Sequence, residues 1–185
     1  MGTLEGPWEK VSRGLLATTA GMSKALARAA VVLRDDIRQG IISQAPGGQR
    51  FKPLAESTIK LRMRGMSKRA RRRAQKTIAR GAATKALIHH GDLVGSITYQ
   101  LVSAREAFVG LLRQAKHKDS GESMANLGAI HEYGATIADG WGRGIHITIP
   151  PRPFIGPTWD ADRAKVAKVF EDALAESIKS AFGLR

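Results

Sequence analysis

Any chemistry in this 185-residue chain would begin with its cations. No acidic residue lies between Glu56 and Asp92, whereas Lys60, Arg62, Arg64, Lys68, Arg69, Arg71, Arg72, Arg73, Lys76, Arg80 and Lys85 all do. Ammonium and guanidinium groups at this density suit a phosphate backbone, whose condensed counterions they displace, or an acidic protein surface. A solvated face without a partner is the third reading. The block from Lys60 to Lys85 contains no Phe, Tyr or Trp on which bases could stack, and no helix-turn-helix pattern accompanies it. Contact with DNA would therefore be non-specific.

Other chemistries find little support. His131 and Glu132 are adjacent, but a zinc-protease helix needs a second His four residues after the first, and position 135 is Ala. His89 and His90 are neighbours whose side chains diverge on either a helix or a strand. Gly140, Gly142 and Gly144 lead into a β-like run rather than into a helix that could receive a pyrophosphate. There is no Gly-x-x-x-x-Gly-Lys-Ser/Thr loop and no Gly-x-Ser-x-Gly elbow. The residues predict no catalytic group, no cofactor and no metal.

The charge is local. The chain carries a net +14, of which the eleven cations between 57 and 91 supply +11, leaving +3 for the other 150 residues. Hydrophobic residues make up 43%, so a chain of this length should bury roughly 70% of its unfolded surface in one domain spanning 1–185. No uncharged apolar run approaches a membrane span; the purest, Ala29 to Leu33, lies between Arg28 and Arg34. No secretory leader pattern opens the chain. The absence of Cys excludes disulfide scaffolds and thiol chemistry, and suits a reducing cytoplasm.

Periodicity supplies the elements that would position these residues. Met22, Leu26, Ala29 or Ala30, Leu33, Ile37 and Ile41 share one helical face, with Thr18 or Thr19 as N-cap and residues 1–17 as a flexible arm. Gly40 and the Gln44-to-Gln49 stretch end that helix, and a second helical stretch begins at Pro53. It runs into the basic segment, 56–91, where Met66, Ala70, Ala74 and Ile78 predict a thin apolar stripe on a helix from about Arg62 to Arg80. Ser96 to Ser103 and Ala107 to Leu112 read as an antiparallel hairpin, and 114–124 as a mobile loop. Met124 to Tyr133 suits a short helix closed by Gly134, and Ile145, Ile147 and Ile149 alternate as a strand stopped by Pro150. The last helix should use Thr158 as N-cap, Val166, Phe170, Leu174, Ile178 and Phe182 as its apolar stripe, and Gly183 as its stop. The expected class is α+β: a small antiparallel β-sheet flanked by long N-terminal and C-terminal helices, with a basic helical or loop excursion.

Four segments in this order carry a resemblance. They are Gln49-Arg-Phe51-Lys-Pro53-Leu54-Ala-Glu-Ser-Thr58, Leu87-Ile-His-His-Gly91-Asp-Leu93-Val-Gly-Ser96-Ile97, Ala129-Ile-His131-Glu132-Tyr-Gly134, and Ile149-Pro-Pro-Arg152-Pro153-Phe154-Ile-Gly156. Their order and spacing, over roughly Met22 to Phe182, resemble the bacteriophage virion-morphogenesis family of tail-completion and minor tail proteins. The chain departs from the family pattern with His90 where Thr usually precedes the glycine, with Phe51 where Trp is frequent, and with a longer basic connection.

The resemblance implies a structural, non-enzymatic subunit at the head–tail neck or the upper end of the tail, located in the virion and assembled in the host cytoplasm. It implies self-association in a homo-oligomeric, hexameric ring, with neighbouring neck and tail tube proteins as partners, non-specific contact with genomic DNA, and no membrane. Within it, Pro151 and Pro153 should make a rigid bracket that packs Phe154 under the final helix. The first helix and the sheet edge are the expected ring contacts. The residues alone leave open a free, non-specific nucleic-acid-binding protein that uses 57–91.

Overall fold

A computed structural model describes residues 7–62, 64, 72, 85–88, 91–117, 120–140 and 145–183. The chain opens with one helix, α1 (Pro7–Ser43), about 55 Å long at the helical rise. The expected arm is thus helical from residue 7, and Thr18 is not a cap. Its Oγ1 donates to the Gly14 carbonyl at 2.8 Å, as a threonine inside a helix does.

The C-terminal helix, α5 (Gly156–Phe182), runs back along α1. Lys165 reaches Asp36 at 2.7 Å and Arg28 reaches Glu176 at 2.9 Å, so the two helices are antiparallel. Those solvent-exposed pairs are worth less than about 1 kcal/mol each. The seam itself is made of small residues. Gly21, Ala25 and Ala29 of α1 are buried at successive turns, opposite Ala173 of α5, while Met22 and Leu26 are only half-buried. A Cβ on Gly21 would lie 2.5 Å from the Ser177 Cβ, so the close approach requires glycine. The expected stripe on α5 is correspondingly only half-buried, and Phe182 is exposed. Gly183 ends the helix in the left-handed conformation, as expected.

Beyond α1, Gln44 adopts φ +64° and the chain makes a 3-10 turn, Pro46–Gly48. Among the described residues that follow are two short helices, α2 (Glu56–Arg62) and α3 (Asp92–Ser96). The first starts three residues later than Pro53. The hairpin is present as β1 (Ile97–Ser103) and β2 (Glu106–Leu111), paired from Ile97 with Leu111 to Ser103 with Glu106 with a shift of register between Leu101 and Ser103. Next come α4 (Met124–Tyr133), β3 (Ala135–Gly140) and β4 (Ile145–Ile149). The last two pair with each other and not with the first hairpin, so the β content is two separate two-stranded sheets rather than one.

The core lies where α1 meets the first hairpin and α4. Ile37, Ile41, Leu93, Ile97, Leu111, Met124 and Phe154 fill it, with Leu33, Phe51, Leu54 and Ile155 packed around them. Ile97 and Leu111 are register partners, so the pleat presents both to α1. Within 114–124 the His117 N–H donates to the Glu122 carbonyl and the Met124 N–H to that of Ala115, around a bridge between Lys116 and Ser123. No helix among the described residues is long and apolar enough to cross a membrane. The architecture is α+β, two long helices flanking small antiparallel sheets.

Candidate functional site

The four sequence segments, spread over a hundred residues, come together at one end of this frame. Gly134 closes α4 at φ +78° and turns the chain into β3; a Cβ there would sit 2.9 Å from the Ile149 carbonyl oxygen. The turn leaves Tyr133 exposed and directs the preceding Glu132 inward, onto the start of α5. The first N–H groups of any helix lack internal acceptors. Here Ile155 is the N-cap and supplies no side-chain acceptor. The Glu132 carboxylate supplies it instead, accepting from the backbone N–H of Phe154 at 2.8 Å, Ile155 at 3.0 Å and Gly156 at 2.8 Å. An anion at a helix N-terminus also meets the positive end of the helix dipole. The expectation that Thr158 caps this helix is overturned: Thr158 is 1% exposed, lies inside α5, and donates to the Phe154 carbonyl at 2.8 Å.

Arg152 joins two further segments. Its backbone N–H donates to the His131 carbonyl at 2.7 Å, and its guanidinium donates to the carbonyls of Lys52 and Pro53, both at 3.3 Å. Phe154, fully buried, anchors the same strand-to-helix link in the core. The rigid-bracket expectation for Pro151 and Pro153 is thus supplemented by polar ties on both sides. In the second segment Gly91, at φ +84°, starts α3, Leu93 enters the core, and the Ser96 Oγ donates to the Asp92 carbonyl at 2.6 Å.

These segments enclose a cleft of about 680 Å³, with Pro53, Leu54, Arg62, Leu93, His131 and Arg152 among its walls. Phe51 and Phe154 pack in the core beside it, and neither they nor Pro153 and Gly156 line it. His117 and Asp92 also face it, 3.8 Å apart. Burial, then the nearby charges of Arg152 and Arg62, hold the His131 imidazole below its ordinary pKa. Its Nδ1 is buried with no hydrogen-bond partner among the described residues. Burial likewise lowers the pKa of Arg62, and the charge of Arg152 adds to the effect.

The basic segment divides. Lys68, Arg69, Arg71, Arg73, Lys76 and Arg80, with the expected apolar stripe, lie outside the described residues. Arg64 and Arg72 are exposed, and Lys60 stands 3.6 Å from Glu56 on α2. Arg62, expected to face a partner, is engaged within the chain: its Nη1 donates to the Lys85 carbonyl at 2.9 Å. Lys85 Nζ donates to the Ile42 carbonyl at 2.8 Å. The Gln44 amide reinforces this junction, donating to the Ala86 carbonyl at 3.0 Å and accepting from its N–H at 2.5 Å. Both ends of the cationic segment are therefore fastened at the rim of the cleft.

Sequence reasoning named the residues of the four segments but missed Gln44 and the capping role of Glu132. The one available signal was the lack of Ser, Thr, Asp or Asn at position 155. Among the described residues no group of His, Asp and Glu is arranged to hold a metal ion. In comparison with known proteins, the profile of the phage virion morphogenesis family matches residues 7–175. Neither a curated protein nor a solved structure matches the chain.

Proposed function

Because the chain belongs to the phage virion morphogenesis family, we propose that it is a non-enzymatic structural subunit of the head–tail neck or the upper tail end, forming a ring that completes the tail for joining to the head. The family match over residues 7–175 carries this reading, since it takes in all four segments around the cleft and nearly the whole helical frame.

A cyclic ring uses heterologous contacts, so each subunit must offer two different surfaces. Two unlike apolar surfaces support this. Val31 and Val32 of α1, with Tyr99 and Val169, line a shallow apolar depression on one side. Leu101, Val102 and Phe108 are exposed toward the far end of the first hairpin. In such a ring the cations of the basic segment would face passing DNA in the lumen or an acidic neighbouring protein.

The test is a phage lacking this protein. It should accumulate packed heads and separate tails, and electron microscopy of virions carrying a labelled subunit should place the label at the neck or upper tail. Infectious, normally joined particles from the mutant would sink the proposal. A free nucleic-acid-binding protein would instead be absent from virions. It would bind duplex DNA with a salt slope that falls by about three phosphate contacts when Arg71, Arg72 and Arg73 are replaced by Ala.

A further inference from the structure

The guanidiniums of Arg62 and Arg152 face one cleft, close enough for the charge of Arg152 to depress the pKa of Arg62. Arg152 is 8% exposed. Among the described residues neither has a carboxylate within ion-pair distance; their described bonds go to neutral carbonyls. Buried charges in proteins are ordinarily paired, and two like charges sharing a cavity are the arrangement least able to go without an anion. Neither described carboxylate near by forms an ion pair with them. Glu132 is turned onto the α5 N-terminus and Asp92 lies toward His117. The cleft wall is mixed: Leu54, Leu87, Leu93 and Met124 stand beside Asp92, His117 and His131.

We infer that this cleft receives a carboxylate side chain of a partner polypeptide, flanked by aliphatic residues, with Arg62 and Arg152 as its counter-charges. An acidic peptide fits better than a nucleic acid on three grounds. Among the described residues the walls contain no Phe, Tyr or Trp on which a base could stack. Arg152 lies too deep for a phosphate on a duplex backbone, whereas a single side chain can reach it. Each guanidinium retains N–H donors beyond those given to the carbonyls, and a carboxylate accepts them in pairs. The cationic segment, which leaves the rim after Arg62 and returns at Lys85, would draw an acidic chain toward the mouth.

The full chain can be titrated by fluorescence anisotropy with a labelled Leu-Glu-Leu-Asp-Leu peptide and its Leu-Gln-Leu-Asn-Leu counterpart. The amide peptide should bind at least about tenfold more weakly, as loss of charge-assisted hydrogen bonds requires. Thr58→Trp fills the cleft while leaving every cation in place, and should abolish the preference. Ser57→Glu, at an exposed position on the cleft, should weaken acidic-peptide binding by a similar factor, and it carries the test if the larger side chain disturbs folding. A duplex oligonucleotide should bind Thr58→Trp as well as it binds the parent. Equal binding of the two peptides, no binding up to about 1 mM, unchanged peptide binding in both variants, or loss of duplex binding in Thr58→Trp would each overturn the inference. None of these readouts depends on a place in the virion, so the peptide assay and the phage phenotype fail separately.

Discussion

The helical frame and the cleft are held together by opposite means. Along the middle of the α1/α5 pair the contact is apolar and close, glycine and alanine against alanine and serine, with ion pairs only at the solvent edge. At the cleft, segments distant in sequence are tied by side chains bonding to backbone: Glu132 to three N–H groups, Arg152 to two carbonyls, Gln44 to both polar groups of Ala86. Packing of the first kind depends on shape and tolerates the loss of any surface charge. Bonding of the second kind concentrates stability in a few atoms, because a buried donor deprived of its partner costs more than the bond contributed. The cleft is therefore the more fragile region, and also the more specific one.

The sharpest way to break this contrast is Glu132→Ala. It leaves three N–H groups at the start of α5 without their acceptor and should cost about 3 kcal/mol or more. The melting temperature, followed by circular dichroism, should fall by roughly 6–12 °C for a chain of this size. Glu132→Gln, which keeps one acceptor oxygen, should lose less. An alanine variant within about 1 kcal/mol of the parent would mean that the cleft is not held as described.

On the helical frame the corresponding change is Gly21→Ala. Its methyl group would meet the Ser177 Cβ and should cost about 1–3 kcal/mol by overpacking. Adding Ser177→Gly removes the obstructing atom and should recover part of the loss. Additive effects in that double-mutant cycle would show that the helices do not touch here.

The smallest expected effect is a pH dependence. His131 has a folded-state pKa below its ordinary 6.5, through burial and the charges of Arg152 and Arg62. As pH falls below 6.5 the unfolded chain takes up that proton first. Stability is therefore full above 6.5 and declines on acidification, by at most about 1.4 kcal/mol per pH unit from this one group. Urea denaturation at several pH values should show a shallower acid decline for His131→Asn than for the parent. Identical declines would remove His131 from the electrostatics of the cleft.

Legibility in the sequence followed the range of the interaction. The hairpin at 97–111, the strand at 145–149 and the left-handed stop at Gly183 were readable, because alternation and glycine act through neighbours in the chain. Strand β3 was not: Ala135 to Gly140 is short, mixed in character, and becomes a strand by pairing with β4. Thr158 had the residue type of a cap and was misplaced, because a carboxylate 24 residues before Gly156 already satisfies that helix end. Arg62 read as a partner-facing cation; its bond to the Lys85 carbonyl was not legible, because it depends on where the chain returns at Lys85.

Fold class, the confinement of +11 to one segment and the four segments that resemble the family were all legible in the amino-acid sequence. Each of these depends on residue type and local spacing, which act through backbone geometry and side-chain period. Long-range packing alone brings the motifs around one cleft, sets Glu132 on a helix it does not belong to, and places two arginines in one cavity without a described carboxylate partner. Those outcomes depend on distances between residues a hundred positions apart, which packing of the core sets and local chemistry does not encode.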